Sequence, residues 1–221
     1  MFVPANLNDD IVYTFDNGLS PWGKNNGVTI TENNGIITGV TNATNGLISN
    51  SKHKFLGADY PKVYVRMMID KEVQEGATGD DAIPGIPSVT RKSLFYTNLV
   101  DAEGNILKGL YSPYNGYTYA SNVVSAADNG KYKVYTYDFS GYDAYLNNYV
   151  TSMAFNVIEA KDLRFNVDTI LFKNPKSLNW TFECDGLLEG WTASDNCFTV
   201  EDGVLKYTEN DSTYSNPRIV L

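Results

Sequence analysis

The chain opens the same passage twice. Thr14 to Trp22 reads TFDNGLSPW, and Thr181 to Trp191 reads TFECDGLLEGW. The parallel continues beyond the tryptophans: Val28 to Ile30 matches Phe198 to Val200, Gly35 matches Gly203, and Ile36-Ile37 matches Val204-Leu205. A Ser-Asn pair closes both passages, Ser49-Asn50 and Ser215-Asn216. Self-similarity of this kind means two units of one architecture laid end to end. The first copy runs on to the junction Lys173-Asn174-Pro175-Lys176-Ser177, whereas the second stops at Leu221. The sequence therefore divides into a complete module over 1–175 and a partial second copy over 176–221.

Period-two alternation dominates both parts, and helical periodicity is almost absent. Strands are expected at Ile11–Phe15, Val28–Thr31, Gly35–Val40, Lys62–Asp70, Ser93–Val100, Lys131–Phe139, Thr151–Ile158 and Asn166–Phe172. Turn formers separate them, among them Asn33-Asn34-Gly35, Glu103-Gly104-Asn105 and Asn129-Gly130. With 16 Tyr against 3 Trp, the aromatic content suits pleated, half-buried surfaces. Many short strands without intervening helices specify an all-β fold, a β-sandwich of jelly-roll type. The connection from Lys71 to Lys92, rich in acids, Gly and Pro, reads as a surface loop.

The formal net charge of -9 argues against nucleic acid or an anionic membrane as partner, since both select basic patches. Neutral ligands, cations and cell-wall polymers stay open. Met1-Phe2-Val3-Pro4 lacks a charged-then-apolar leader, so the chain is expected to come from within a longer secreted protein, flanked by neighbouring modules. Cys184 and Cys197 both fall in the partial copy, and the sequence leaves open whether they pair across neighbouring strands.

Strand phase sorts side chains by face. Val63, Val65, Met67 and Ile69 make one apolar row, leaving Tyr64 and Arg66 on the other side. Phe95 and Leu99 point inward, leaving Tyr96 and Asn98 outside. Tyr135, Tyr137 and Phe139 point in with Thr136 out, and Phe155 and Val157 point in with Asn156 out. The outward set is Tyr64, Arg66, Tyr96, Asn98, Thr136 and Asn156. Rings beside hydrogen-bonding groups suit a sugar, which offers an apolar face to stack and several hydroxyls to satisfy. The stretch Tyr111 to Tyr119 adds Tyr114 and Tyr117 on turn formers; it reads either as a stacking platform or as a hairpin that covers the sheet.

Phe15-Asp16-Asn17-Gly18-Leu19 followed by Trp22, the run Lys131 to Ser140, and Val167-Asp168-Thr169-Ile170 resemble the first, penultimate and closing strands of jelly-roll carbohydrate-binding modules. The resemblance spans about Asp10 to Asn174 and the start of the second copy. It implies a non-catalytic appendage of a secreted bacterial glycoside hydrolase, extracellular, that anchors the enzyme to a cell-wall glycan such as xylan or β-glucan. It also implies a structural Ca²⁺ held by Asp16 and Asp168, with Glu183 at the matching place in the second copy.

Other assignments weigh against these. Trp22 and Trp191 suit a repeated core residue as well as a sugar platform. Catalysis finds little footing: the only histidine, His53, sits in Ser51-Lys52-His53-Lys54 without a nucleophile signature. The alternative to glycan binding is a structural spacer, surface-layer or adhesin sandwich with no sugar site, because fold alone does not fix function.

Overall fold

A computed structural model describes residues 9–70, 93–107, 116–121, 130–157 and 161–177, together with short strands between 192 and 220. The long connection from Lys71 to Lys92, Tyr114, Cys184, Cys197 and Glu183 lie outside the described residues.

Two antiparallel sheets face each other. The first, sheet A, has the order β10 (Tyr132–Asp138), β7 (Lys62–Asp70), β12 (Arg164–Lys173), β4 (Ile36–Thr41) and β3 (Val28–Asn33), with β1 (Ile11–Tyr13) on the β4 edge of β12. The second, sheet B, has the order β2 (Trp22–Lys24), β5 (Ile48–Asn50), β11 (Tyr149–Asn156), β8 (Leu94–Val100) and β9 (Gly116–Tyr119). Strand β6 (Phe55–Leu56) pairs with β11 beside β5. The chain crosses between sheets repeatedly, so sequence neighbours often sit on opposite layers; this is the crossing pattern of a jelly roll. Beyond the strands come a one-turn helix α1 (Asp143–Leu146) and a 3-10 turn at Gly57–Asp59. No helix among the described residues is long and apolar enough to cross a membrane.

Local chemistry explains much of this. Asn34 and Gly35 both take positive φ, 52° and 78°, which the two-residue turn between β3 and β4 requires and which the Asn-Gly pair tolerates. Strand β7 alternates buried and half-buried residues along its whole length, and its bounds match the sequence expectation. Between the layers run edge-to-face aromatic contacts: Trp22 with Tyr13 and Phe155, Phe95 with Phe139 and Phe172, and Phe55 with Tyr60. Each such pair adds about 0.5–1.5 kcal/mol beyond burial. Gly39 has its own role in this core. A Cβ there would collide with the Phe165 ring, so the missing side chain lets that ring lie on the strand. Trp22 is 4 % exposed, which makes it a core residue and not a sugar platform.

The C-terminal strands reproduce the opening of the sandwich. Strands β14 (Phe198–Glu201) and β15 (Val204–Tyr207) form a hairpin, as β3 and β4 do at the matching sequence positions. Strand β13 (Thr192–Ala193), directly after the second Trp, pairs with β16 (Ile219–Val220), as β2 pairs with β5. Among the described residues these strands pair only with one another, apart from the two large sheets. The Ser-Asn alignment would place the last strand at Ser215-Asn216; it lies a few residues later.

Candidate functional site

The outward set divides between two opposite surfaces. Tyr64, Arg66 and Thr136 stand on the outer face of sheet A, because Thr136 lies opposite Tyr64 and Val134 opposite Arg66. Tyr96, Asn98 and Asn156 stand on the outer face of sheet B. A single groove lined by all of them therefore does not form. Strand phase distinguishes inside from outside, but it carries no information about which layer a strand joins.

On sheet A the polar groups are already engaged. Arg66 Nη1 donates to Asp168 Oδ2 at 2.8 Å, with the two side chains 19% and 26% exposed. The guanidinium also lies 4.4 Å from the ring centroid of Tyr132. A bulge on β12, between Val167 and Thr169, turns Asp168 toward this arginine, and Thr169 Oγ1 donates to the same carboxylate oxygen. Further out, Thr31 and Thr38 bond each other across β3 and β4, and Arg164 pairs with Asp70. Arg66 is thus held by its own neighbours and is not presented to a ligand.

The same contacts bear on calcium. Asp168 Oδ2 serves Arg66 and Thr169, and Asp16 Oδ2 accepts from Thr14 Oγ1 at 2.6 Å. The two carboxylates leave one oxygen each, so backbone carbonyls and water would have to complete the six to eight ligands that Ca²⁺ takes. Among the described residues no three His, Cys, Asp or Glu side chains gather as a metal cluster.

The outer face of sheet B is different. Register arranges it in rows across the strands. One row runs Leu56, Tyr149, Val100, Ile106; the next holds Ser152 and Asn98. A third runs Gly23, Ser49, Ala154, Tyr96, Tyr117, and the last holds Asn156, Leu94 and Tyr119. At about 3.4 Å per residue, Tyr149 and Tyr119 are separated by roughly 20 Å along the strands. Small residues occupy one flank of the third row and tyrosines the other, with Ala154 fully buried where they meet. Tyr117 and Tyr119 meet edge to face at 5.9 Å, and Tyr119 is 46% exposed. Ile106, 76% exposed, ends the first row with an apolar surface.

Asn98 Oδ1 and Asn156 Oδ1 lie on this face, buried and without a hydrogen-bond partner. The Asn156 amide is fixed by donating to Thr44 O at 2.9 Å, which leaves its carbonyl directed elsewhere. A buried acceptor without a donor costs about 1–3 kcal/mol. Such a cost is recovered when a ligand brings a hydroxyl. Trp22 Nε1 and Thr97 Oγ1 also lack partners, but both belong to the inner side of sheet B.

Tyr96, Asn98, Asn156 and Tyr117 are thus brought together, Tyr64 and Arg66 are apart from them, and Tyr149 and Tyr119 join the face without having been singled out. Tyr119 belonged to a tyrosine run visible in the sequence. Tyr149 gave no signal, because it lies just before the expected start of β11. His53 is 7% exposed, with the Tyr13 hydroxyl 3.1 Å from its ring nitrogens, and Asn50 Nδ2 donates to the same hydroxyl at 3.2 Å. Burial holds the imidazole below its ordinary pKa, as a neutral structural group.

No family model and no curated protein matches the chain. Solved structures with a distant likeness include a family 29 carbohydrate-binding module, 12% identical with a TM-score of 0.41, covering 78% of this chain and 99% of that one. A family 29 module complexed with cellulohexaose is 10% identical with a TM-score of 0.43, covering 74% and 90%. The first family 27 module of Caldicellulosiruptor saccharolyticus, in complex with mannohexaose, is 13% identical with a TM-score of 0.37, covering 75% and 97%. Likenesses this distant transfer neither family nor ligand to the chain.

Proposed function

We propose that the chain is a non-catalytic glycan-binding module that uses the outer face of sheet B. One observation carries this: Tyr149, Tyr96, Tyr117 and Tyr119 line a face on which Asn98 Oδ1 and Asn156 Oδ1 are buried acceptors without donors. Tyrosine rings stack on pyranose faces, and the two carbonyls accept sugar hydroxyls. The expected ligand is a cell-wall polysaccharide such as xylan or β-glucan, met outside a bacterial cell. The expected role is to hold a larger secreted enzyme on its substrate. A second copy of the module would raise avidity through effective concentration without new contacts.

Native affinity electrophoresis of the full chain against a panel of soluble glycans tests the proposal. Retardation that disappears in Tyr96→Ala/Tyr117→Ala supports it. Unretarded migration on every glycan, with binding to a protein partner or self-association, favours a spacer, surface-layer or adhesin role instead. A Ca²⁺ at Asp16 and Asp168 is a separate part of the proposal. A melting temperature that rises with Ca²⁺ and no longer does so in Asp168→Asn supports it; superimposable curves with Ca²⁺ and chelator remove it.

A further inference from the structure

The β5–β6 edge of sheet B carries positive charge in an otherwise acidic protein. Strands β5 and β6 lie one after the other along the same edge of β11, and the break between them, Ser51 to Lys54, holds Lys52 and Lys54. This break adjoins the bulge of β11 between Val150 and Ser152, beside the row of Ser152 and Asn98. Lys54 Nζ stands 4.9 Å from the ring centroid of Tyr149, the tyrosine at that end of the candidate face. The side chains of Lys52 and Lys54 are both exposed. Lys62, Lys173 and Lys206 each pair with a carboxylate, whereas Lys52 and Lys54 have none within ion-pair distance among the described residues. The nearby acid at the end of β8, Asp101, is committed to its own turn: it accepts from Asn105 N at 2.7 Å and from Asn105 Nδ2 at 2.9 Å.

An ammonium held over a tyrosine ring is positioned as well as charged. Tyr149 thus serves the face by holding this cation, and stacking on sugar falls to Tyr96, Tyr117 and Tyr119. What this end of the face presents is a cation beside apolar surface, next to the row that holds Asn98. The net charge of -9 does not cancel this locally, because exposed charges farther off than about 8 Å are largely screened at physiological ionic strength.

We infer that the glycan taken by this face is acidic, a uronate-bearing polysaccharide whose carboxylate is read by Lys54, with Lys52 beside it. The inference rests on the proposed glycan site and specifies its substrate class. Tyrosine stacking alone would accept neutral chains; the lysines select among them.

The test is native affinity electrophoresis of the full chain with polygalacturonate, the same polymer after reduction of its carboxyl groups, and a neutral β-glucan. The expected result is strong retardation by the acidic polymer, weaker retardation after reduction, and loss of the difference as salt is raised. Lys54→Gln should weaken retention on the acidic polymer roughly threefold to fivefold, the range of an exposed ion pair. The loss on the acidic polymer should exceed any change on the neutral one, and the variant's melting curve reports intact folding. Equal retention on acidic and reduced polymers, insensitive to Lys54→Gln, overturns the choice of an acidic ligand and leaves glycan binding standing. Retention on none of the three, nor on the wider glycan panel, overturns both.

Discussion

The outer faces of the two sheets are built from similar residues and differ in whether those residues are satisfied. Sheet A presents Tyr64, Tyr132, Arg66 and Asp168, and the last three close on one another. Sheet B presents Tyr96, Tyr117, Tyr149, Asn98 and Asn156, and two of its carbonyls find no donor. A face whose polar groups pair internally gains stability and has little left for a ligand. A face that keeps buried acceptors open gives up stability, and that condition recurs where function demands it. On the proposed function, the outer face of sheet A serves structure and that of sheet B serves binding.

Removing two rings from sheet B should have the greatest consequence for binding. Each stacked ring contributes about 0.5–1.5 kcal/mol, so Tyr96→Ala/Tyr117→Ala should lower glycan affinity by roughly 5- to 150-fold. Tyr64→Ala, on the other face, should leave affinity unchanged. A loss in Tyr64→Ala that equals the loss in the double variant would transfer the site to sheet A.

Arg66→Ala should show the opposite pattern. It leaves Asp168 without its cation, and the pair is partly shielded, so stability should fall by about 1–2 kcal/mol in urea unfolding. Glycan retention, measured well below the transition, should be that of the unaltered chain. Asn98→Ala goes the other way again: affinity should fall several-fold while stability holds or rises slightly, since an unsatisfied buried acceptor is removed. Clear destabilisation by Asn98→Ala would mean that its carbonyl is paired within the protein.

Much of the architecture could be read from residue order. The Asn34-Gly35 turn, the inward row of Val63 to Ile69 and the strand-for-strand match between β3–β4 and β14–β15 follow from local chemistry and from repetition. The short strands β2, β5 and β9 were not legible, because three or four residues give too little alternation to stand out. The division of Tyr64 and Arg66 from Tyr96 and Asn98 was hidden for a different reason. Jelly-roll crossovers send successive strands to opposite layers, and that choice is made by long-range pairing and not by side-chain period. The pairing of Arg66 with Asp168 depends on a one-residue bulge in β12, which no pattern in the sequence marks.

Stability and binding should also separate with pH, by a smaller margin. Tyr13 belongs to sheet A, Asn50 to sheet B, and His53 to the β5–β6 break, so their hydrogen bonds join the layers beneath both faces. The Tyr13 hydroxyl accepts from Asn50, and a neutral imidazole keeps one ring nitrogen able to accept the hydroxyl's proton; a protonated His53 loses that acceptor and confronts the hydroxyl with a second donor. Burial lowers the His53 pKa from its usual 6.5, so on acidification the unfolded chain takes up this proton before the folded one does. Stability from this source is complete above about pH 6.5 and is lost as pH falls from there toward the folded-state pKa. Urea midpoints should therefore decline across that interval in the unaltered chain and decline less in His53→Gln. Retention on a neutral glycan, followed where the chain is still folded, should not change over the same range, because His53 lies beneath the face and not on it. A fall in retention that tracks the urea midpoint while the fold is intact would tie the binding face to the buried link, and the separation between the two surfaces would fail.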